Sequence, residues 1–225
     1  MRISKAQIEG NSLVGLYVLP LDNKVIVGTD LTDEMKKTVE EVFNGEITHT
    51  TIAGTPLVGA FCATDGEKLL VPHIIFDHEK EALEKANIPF KIVKSDFTCH
   101  GNNIVVTKKG LIINPEYELE AVEEIEEFFE LQAAAFDTED MPTVGSFIAH
   151  NSHYGLVNHD FSEETLQFLS NTLGLVLTAG TVNMGSVHIN SGVAVNDHGF
   201  LIGEQSGGPE IVNADEGLGF INQDK

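Results

Sequence analysis

GSFIAHNSHYGLVN, residues 145–158, is one of four stretches that align without a gap. The others are GLYVLPLDNKVIVG (15–28), GAFCATDGEKLLVP (59–72) and GNNIVVTKKGLIIN (101–114). Their leading glycines, Gly15, Gly59, Gly101 and Gly145, are spaced by 44, 42 and 44 residues. A fifth, shorter copy, GVAVNDHGFLIG, starts near Gly192 and ends at Gly203. Self-similarity at this period marks a repeat architecture, so the whole chain is read through it.

Within each copy two short apolar runs flank a cluster of turn residues. Val18, Cys62, Ile104 and Ile148 share one position, and Leu19, Ala63, Val105 and Ala149 the next. The second runs are Val25-Ile26-Val27, Leu69-Leu70-Val71, Leu111-Ile112-Ile113 and Leu156-Val157. Asp22-Asn23, Asp65-Gly66, Lys109-Gly110 and Asn151-Ser152 lie between the runs. Short strands joined by Asn, Asp and Gly read as hairpins. Runs apolar at every position predict strands covered on both faces.

A helical pattern follows each hairpin. Met35, Val39, Val42 and Phe43 form one apolar stripe, Val122, Ile125 and Phe129 another, and Leu166, Leu169 and Leu173 a third. Thr32 and Ser162 are expected N-caps, with acids in the first turn that suit the helix dipole. A shorter helix is predicted over 77–86. Third strands are predicted at Glu46–Ala53, Phe90–Val93, Ala133–Phe136 and Leu175–Thr178. One strand–strand–helix–strand unit cannot bury its own apolar face. Stacking units in a closed ring would bury it and remove open sheet edges. The predicted fold class is therefore α/β, a five-bladed propeller of one domain over 1–225. Its units are about 11–54, 55–95, 96–141, 142–185 and 186–221. The fifth lacks a full helix and a clear last strand, and residues 2–8 are expected to supply that strand. The joint IAGTPLVG (52–59) is matched to TAGTVNMG (178–185) as a common turn.

Composition narrows the function classes. No apolar run is long enough to span a bilayer, and no cleavable signal pattern opens the chain, so a cytoplasmic protein is expected. Two cysteines do not make a disulfide framework. The formal net charge is −22, a surface that repels a phosphate backbone and favours basic partners. Eight glutamates between Glu116 and Glu130 read as a solvated helix face. No GxxxxGK[ST] is present and no GxGxxG follows a strand, and no cofactor is expected. His150 and His153 sit in a hairpin turn without Cys or acidic ligands at metal spacing. His73 and His159 are repeat-equivalent and expected where helices begin.

Several runs together resemble archaeal and eukaryotic translation initiation factor 6, a family of ribosome anti-association factors, over essentially the full length. They are Gly10-Asn11 with Leu13-Val14-Gly15, IAGTPLVG (52–59), LLVP (69–72), GNN (101–103), VGSF (144–147), AGTVNMGS (179–186) and GVAVND (192–197). The resemblance implies the five-bladed pentein propeller. It also implies a factor that performs no chemistry. Such a factor binds the joining face of the large ribosomal subunit and blocks the small subunit sterically. The implied partners are a ribosomal protein near the factor-binding centre, close to the sarcin-ricin loop, and, by analogy with the eukaryotic members, a release GTPase and a maturation partner. Neither DNA nor a membrane is among them, and a monomer is expected because a closed ring leaves few edges. The chain lacks the eukaryotic C-terminal tail and so looks archaeal.

The resemblance and the repeat together nominate a partner-binding rim of Asn11, Gly15, Gly59, Gly101, Asn102, Asn103 and Gly145. Asn103 stands where other copies carry Tyr17, Phe61 and Phe147, and a local hydrogen bond is the plainer account of it. Backbone geometry is the plainer account of the glycines. Where some relatives carry a basic residue this chain has Ala60. Other pentein proteins are guanidine-modifying enzymes that use a Cys near the C-terminus, so that class is the first alternative, and a generic propeller adaptor is the second. Here the last copy has none, and Cys62 and Cys99 read as small core residues.

Overall fold

A computed structural model describes residues 2–136 and 143–221. The expected boundary between the third and fourth units, at 141 and 142, lies outside the described residues. Fifteen strands among the described residues pair into five three-stranded sheets. The first sheet holds β2 (Val18–Pro20), β3 (Lys24–Val27) and β4 (Glu46–His49), and the second β5 (Ala63–Thr64), β6 (Leu69–Pro72) and β7 (Phe90–Val93). The third holds β8 (Ile104–Val106), β9 (Leu111–Ile113) and β10 (Ala133–Ala135), and the fourth β11 (Ile148–His150), β12 (Tyr154–Asn158) and β13 (Val176–Gly180). The fifth joins β14 (Val193–Val195) and β15 (Phe200–Gly203) to β1 (Ile3–Ala6).

Each sheet repeats one pattern. The first two strands form an antiparallel hairpin, as in Val18↔Val27 and Ile148↔Val157. The third strand lies parallel to the second, as in Lys24↔Glu46. A parallel return needs a crossover, and a helix supplies it. These helices are α1 (Asp33–Phe43), α2 (Asp77–Lys85), α3 (Leu119–Phe129) and α4 (Glu163–Leu173). The Thr32 and Ser162 hydroxyls accept from Met35 N and Thr165 N, as N-caps do. The strand within residues 2–8 is β1, and it pairs parallel with β15, so the start of the chain completes the last sheet.

Four details differ from the sequence reading. The fifth unit does carry a full helix, α5 (Gly208–Gly217), opening on Gly207 with Pro209 in its first turn. Strand β4 ends at His49, and Ile52–Thr55 forms a separate tight turn. That turn matches Ile8–Asn11 and Val182–Ser186, so the match of 52–59 to 178–185 was displaced by four residues. Each copy also opens on one helical turn, which the pattern of apolar runs does not show: Val14–Tyr17, Val58–Phe61, His100–Asn103, Val144–Phe147 and Ile189–Gly192. Asn190, not Gly192, therefore stands where Gly15, Gly59, Gly101 and Gly145 stand.

The core explains why the middle strands are apolar throughout. Val25 and Val27 of β3 face one cluster with Val14, Val39, Phe43 and, from the fifth unit, Leu201. Ile26 points the other way, to Ile52 and to Leu69, Val71 and Leu83 of the second unit. Strand β9 divides likewise, Leu111 and Ile113 to one cluster and Ile112 to the next. Each cluster thus lies between neighbouring units, and alternate side chains of one strand are shared by two of them. No unit has a core of its own.

A belt of hydrogen bonds repeats the same logic. The last carbonyls of a helix lack intrahelical donors and need partners from elsewhere. Here each receives one from the hairpin of the preceding unit. Lys24 Nζ donates to Ala86 O, Lys68 Nζ to Phe128 O (2.7 Å), Thr107 Oγ1 to Leu173 O (2.8 Å) and Asn151 Nδ2 to Leu218 O (2.9 Å). Asn196 Nδ2 of the fifth unit donates to Phe43 O of the first at 3.0 Å. The belt closes on itself.

Candidate functional site

The ring has two faces. The helical turns that open the copies surround the axis at one face, and the hairpin turns surround it at the other. The glycines of the helical turns set their spacing. A Cβ on Gly59 would lie 1.9 Å from Gly15 O, one on Gly101 2.1 Å from Gly59 O, and one on Gly145 2.2 Å from Gly101 O. A Cβ on Gly15 would lie 1.9 Å from Asn190 O, closing the collar. Each of these four turns rests directly on the backbone of a neighbouring turn, an approach that only glycine allows. All four glycines are buried.

The nominated rim residues divide by position. Asn102 is half-buried on the face, one residue outward from its glycine. Leu16, Ala60, Ser146 and Ser191 take the same place in the other units; Ala60 is buried and the rest half-buried. Asn103 is buried beneath: its amide donates to Cys99 O at 2.9 Å and its Oδ1 accepts from Asn114 at 2.9 Å. Asn11 is half-buried, accepts from Leu13 N at 2.9 Å and donates to Tyr17 Oη at 3.4 Å. The structure therefore gathers all seven around one collar, with Asn102 outermost and the glycines and Asn103 below it.

The collar is uncharged. VGLY, VGAF, HGNN, VGSF and INSG contain no Asp, Glu, Lys or Arg, in a chain of which 21% is charged. Its one imidazole, His100, is buried, with Nδ1 2.8 Å from Tyr117 Oη. Burial pushes its pKa down to about 4, and His73 adds to the effect. The other units carry Val14, Val58, Val144 and Ile189 there. Around the collar stand the turns Ile8–Asn11, Ile52–Thr55 and Val182–Ser186.

The opposite face is charged. Asp22, Asp65, Lys108, Ser152 and Asp197 surround the mouth of an axial cavity of about 100 Å³, whose walls include Val18, Cys62, Ile104, Ile148 and Val193. Lys108 Nζ lies 3.3 Å from Asp65 and 2.8 Å from Glu67, and Ser152 Oγ donates to Asp197 at 2.6 Å. Burial raises the Asp22 carboxyl; Lys108 opposes this, and Glu67, Asp197 and Asp65 reinforce it. Among the described residues no three His, Cys, Asp or Glu side chains converge to hold a metal ion. Cys62 is buried, as expected, whereas Cys99 is half-buried. Burial pushes the Cys62 thiol up and Glu79 adds to it, the reverse of the cationic setting that makes a thiolate nucleophile.

Two carboxylates on the collar side escaped the sequence reading. Glu79, fully buried, accepts from Thr51 Oγ1, Phe76 N (2.8 Å), Gly54 N (2.8 Å) and Ala53 N (2.9 Å). Glu210 accepts from Thr181 Oγ1, Gly207 N, Gly185 N and Met184 N. Each is the third residue of its helix and fastens the preceding inter-unit turn. Burial would raise both carboxyls, but the four hydrogen bonds outweigh it and hold them below the ordinary value. The signal was a Glu three residues after the cap position of α2 and of α5.

The eIF-6 family model matches residues 3–216. Translation initiation factor 6 of Thermococcus onnurineus is 28% identical over 228 residues, 99% of this chain and 100% of that one. The same factor of Saccharolobus islandicus is 30% identical over 226 residues, 97% and 100% of the two chains. Among solved structures, a dimethylarginine dimethylaminohydrolase adduct with S-methyl-L-thiocitrulline superposes with a TM-score of 0.54 at 13% identity. It covers 80% of this chain and 70% of that one. The N-terminal domain of the arginine dihydrolase ArgZ gives 0.51 at 10% identity, covering 73% and 67%. At such identities the likeness shows the fold alone, and that fold is the pentein propeller.

Proposed function

The chain belongs to the eIF-6 family, and from that premise we propose that it binds the large ribosomal subunit through its collar face and keeps the small subunit away by bulk. The observation that carries this reading is the uncharged collar on a chain of net charge −22. The buried centre of a protein interface is depleted in charge, and its rim is polar. A strongly acidic surface around a neutral patch steers toward basic ribosomal-protein segments and away from exposed phosphate. Asn102, Leu16, Ser146 and Ser191 are the contact residues on this reading. Gly15, Gly59, Gly101 and Gly145 set their spacing, Asn103 holds the third turn in place, and Asn11 anchors the rim.

The factor acts in the cytoplasm without catalysis, as a steric block. It meets a ribosomal protein near the factor-binding centre, close to the sarcin-ricin loop, and leaves when a release GTPase and its partner displace it. Sedimentation of purified archaeal subunits tests the reading. The protein should migrate with the large subunit and reduce joined ribosomes in proportion to its occupancy. Migration with the small subunit, or joined ribosomes in undiminished amount at saturation, would reject it.

A further inference from the structure

The turn Val182–Ser186 carries a feature that its counterparts lack. Its ends exchange two backbone hydrogen bonds, Val182 N to Ser186 O at 3.0 Å and Ser186 N to Val182 O at 2.7 Å. Between them Asn183, Met184 and Gly185 have φ of 48°, 65° and 95°. Left-handed backbone is unfavourable for a residue such as methionine, so the surroundings must hold it there. They do so from three directions. The Glu210 carboxylate accepts from Met184 N at 3.2 Å and from Gly185 N at 2.9 Å. Ser206 Oγ accepts from Asn183 N at 2.9 Å. Asn183 Nδ2 reaches across the unit boundary to Ser12 O at 2.9 Å.

The result is a side chain held out in solvent. Met184 is 83% exposed, more than any other large hydrophobic among the described residues. The repeat-equivalent turn Ile52–Thr55 is fastened in the same way by Glu79, but it presents only Ala53 and Gly54, with Phe76 lying over Gly54. The third such turn presents Glu9 and Gly10. One fold therefore builds two like clamps: at Glu210 the turn itself holds out Met184, whereas at Glu79 the apolar side chain is Phe76, 50% exposed and folded back over Gly54.

We propose that Met184 is an anchor of the docking face and that Glu210 is the residue that positions it. The inference rests on the docking reading above. The occupant is an apolar pocket on a basic protein of the large subunit. An uncharged thioether gains nothing from a phosphate backbone, and the charge of −22 favours a basic partner. The unbranched methionine side chain adapts to an irregular pocket.

A double-mutant cycle measures it, with affinity for purified large subunits read alongside thermal stability. Met184→Ala should weaken binding about tenfold, the scale of a buried apolar anchor, with an unchanged melting temperature. Glu210→Gln should weaken binding severalfold, and in the Met184→Ala background it should weaken it no further. Glu79→Gln should lower the melting temperature comparably and leave affinity within about twofold, because its turn holds out no apolar side chain of its own and Phe76 lies back over Gly54. Additive losses in the cycle, or equal affinity losses for the two glutamine variants, would overturn the positioning role. Wild-type binding with an indifferent Met184→Ala would overturn the anchor while leaving the docking reading intact. Failure of the wild-type protein to bind would remove both.

Discussion

Asn196→Ala tests whether the ring is closed where the chain ends meet. The Asn196 side chain is buried, donating to Leu21 O and Phe43 O at 3.0 Å each. Its Oδ1 accepts from His198 N at 3.0 Å and Gly199 N at 3.3 Å. Truncation leaves two carbonyls of the first unit, one of them in the last turn of α1, without this donor. A buried polar group left unmatched costs about 1–3 kcal/mol. Two of them give about 3 kcal/mol after partial relaxation. For a chain of this length 1 kcal/mol corresponds to about 2–4 °C, so the melting temperature should fall by roughly 6–12 °C. Asn151→Ala is the internal comparison. It removes a single bond between units, to Leu218 O, and its loss should be smaller, about 2 kcal/mol. Urea unfolding followed by circular dichroism gives both numbers. A loss below about 1 kcal/mol for Asn196→Ala, with an unchanged denaturant slope, would mean that the fifth and first units are not joined in solution as described.

Five further outcomes follow from the same geometry and charge. Gly59→Ala should cost more than about 4 kcal/mol or abolish folding, because its methyl would sit 1.9 Å from Gly15 O. Gly208→Ala, with nothing within 4 Å, should leave the melting temperature unchanged or slightly raised. Folded His100 titrates at about 4, below its ordinary 6.5. Between those values the unfolded chain takes up a proton that the folded chain excludes. Stability should therefore fall by on the order of 3 kcal/mol as pH drops from 6.5 to 4. The pair His100→Val with Tyr117→Phe should flatten that slope in urea titrations at stepped pH; an unaltered slope would refute the assignment. Glu79 titrates below its ordinary 4.5, so its contribution is complete above that pH and is lost as pH falls further. Glu79→Gln should flatten this acid limb. Affinity for the large subunit should fall as salt rises, and flat or strengthening binding would reject the electrostatic part of the reading.

Much of the architecture was legible because the collar cannot be built without small residues. The 44-, 42- and 44-residue spacing of Gly15, Gly59, Gly101 and Gly145 is the trace of four backbones pressed onto their neighbours. The fifth copy slipped because Asn190 occupies the equivalent place, and Gly192, two residues on, offered a false match. Helix α5 was missed because its stripe is thin: Ile211, Ala214 and Leu218 face inward among Gly, Asn and acids. Its Pro209 and Glu210 were the readable start signal. The helical turns went unread because their four residues are too few for a 3.6-residue period to show. The binding rim was legible only as a ring of glycines. Its outward residues, Leu16, Ala60, Asn102, Ser146 and Ser191, share no chemistry except the absence of charge, and a missing property leaves no motif. The Glu79 and Glu210 clamps depend on which turn each helix meets, so only the fold could display them.

A side-chain-resolution map of the protein on the large ribosomal subunit bears most directly on the account. Leu16, Asn102, Ser146 and Ser191 should lie within van der Waals contact of the subunit, with the Asp22, Asp65 and Asp197 mouth facing away. Contact through that acidic mouth, with the collar left in solvent, would contradict it.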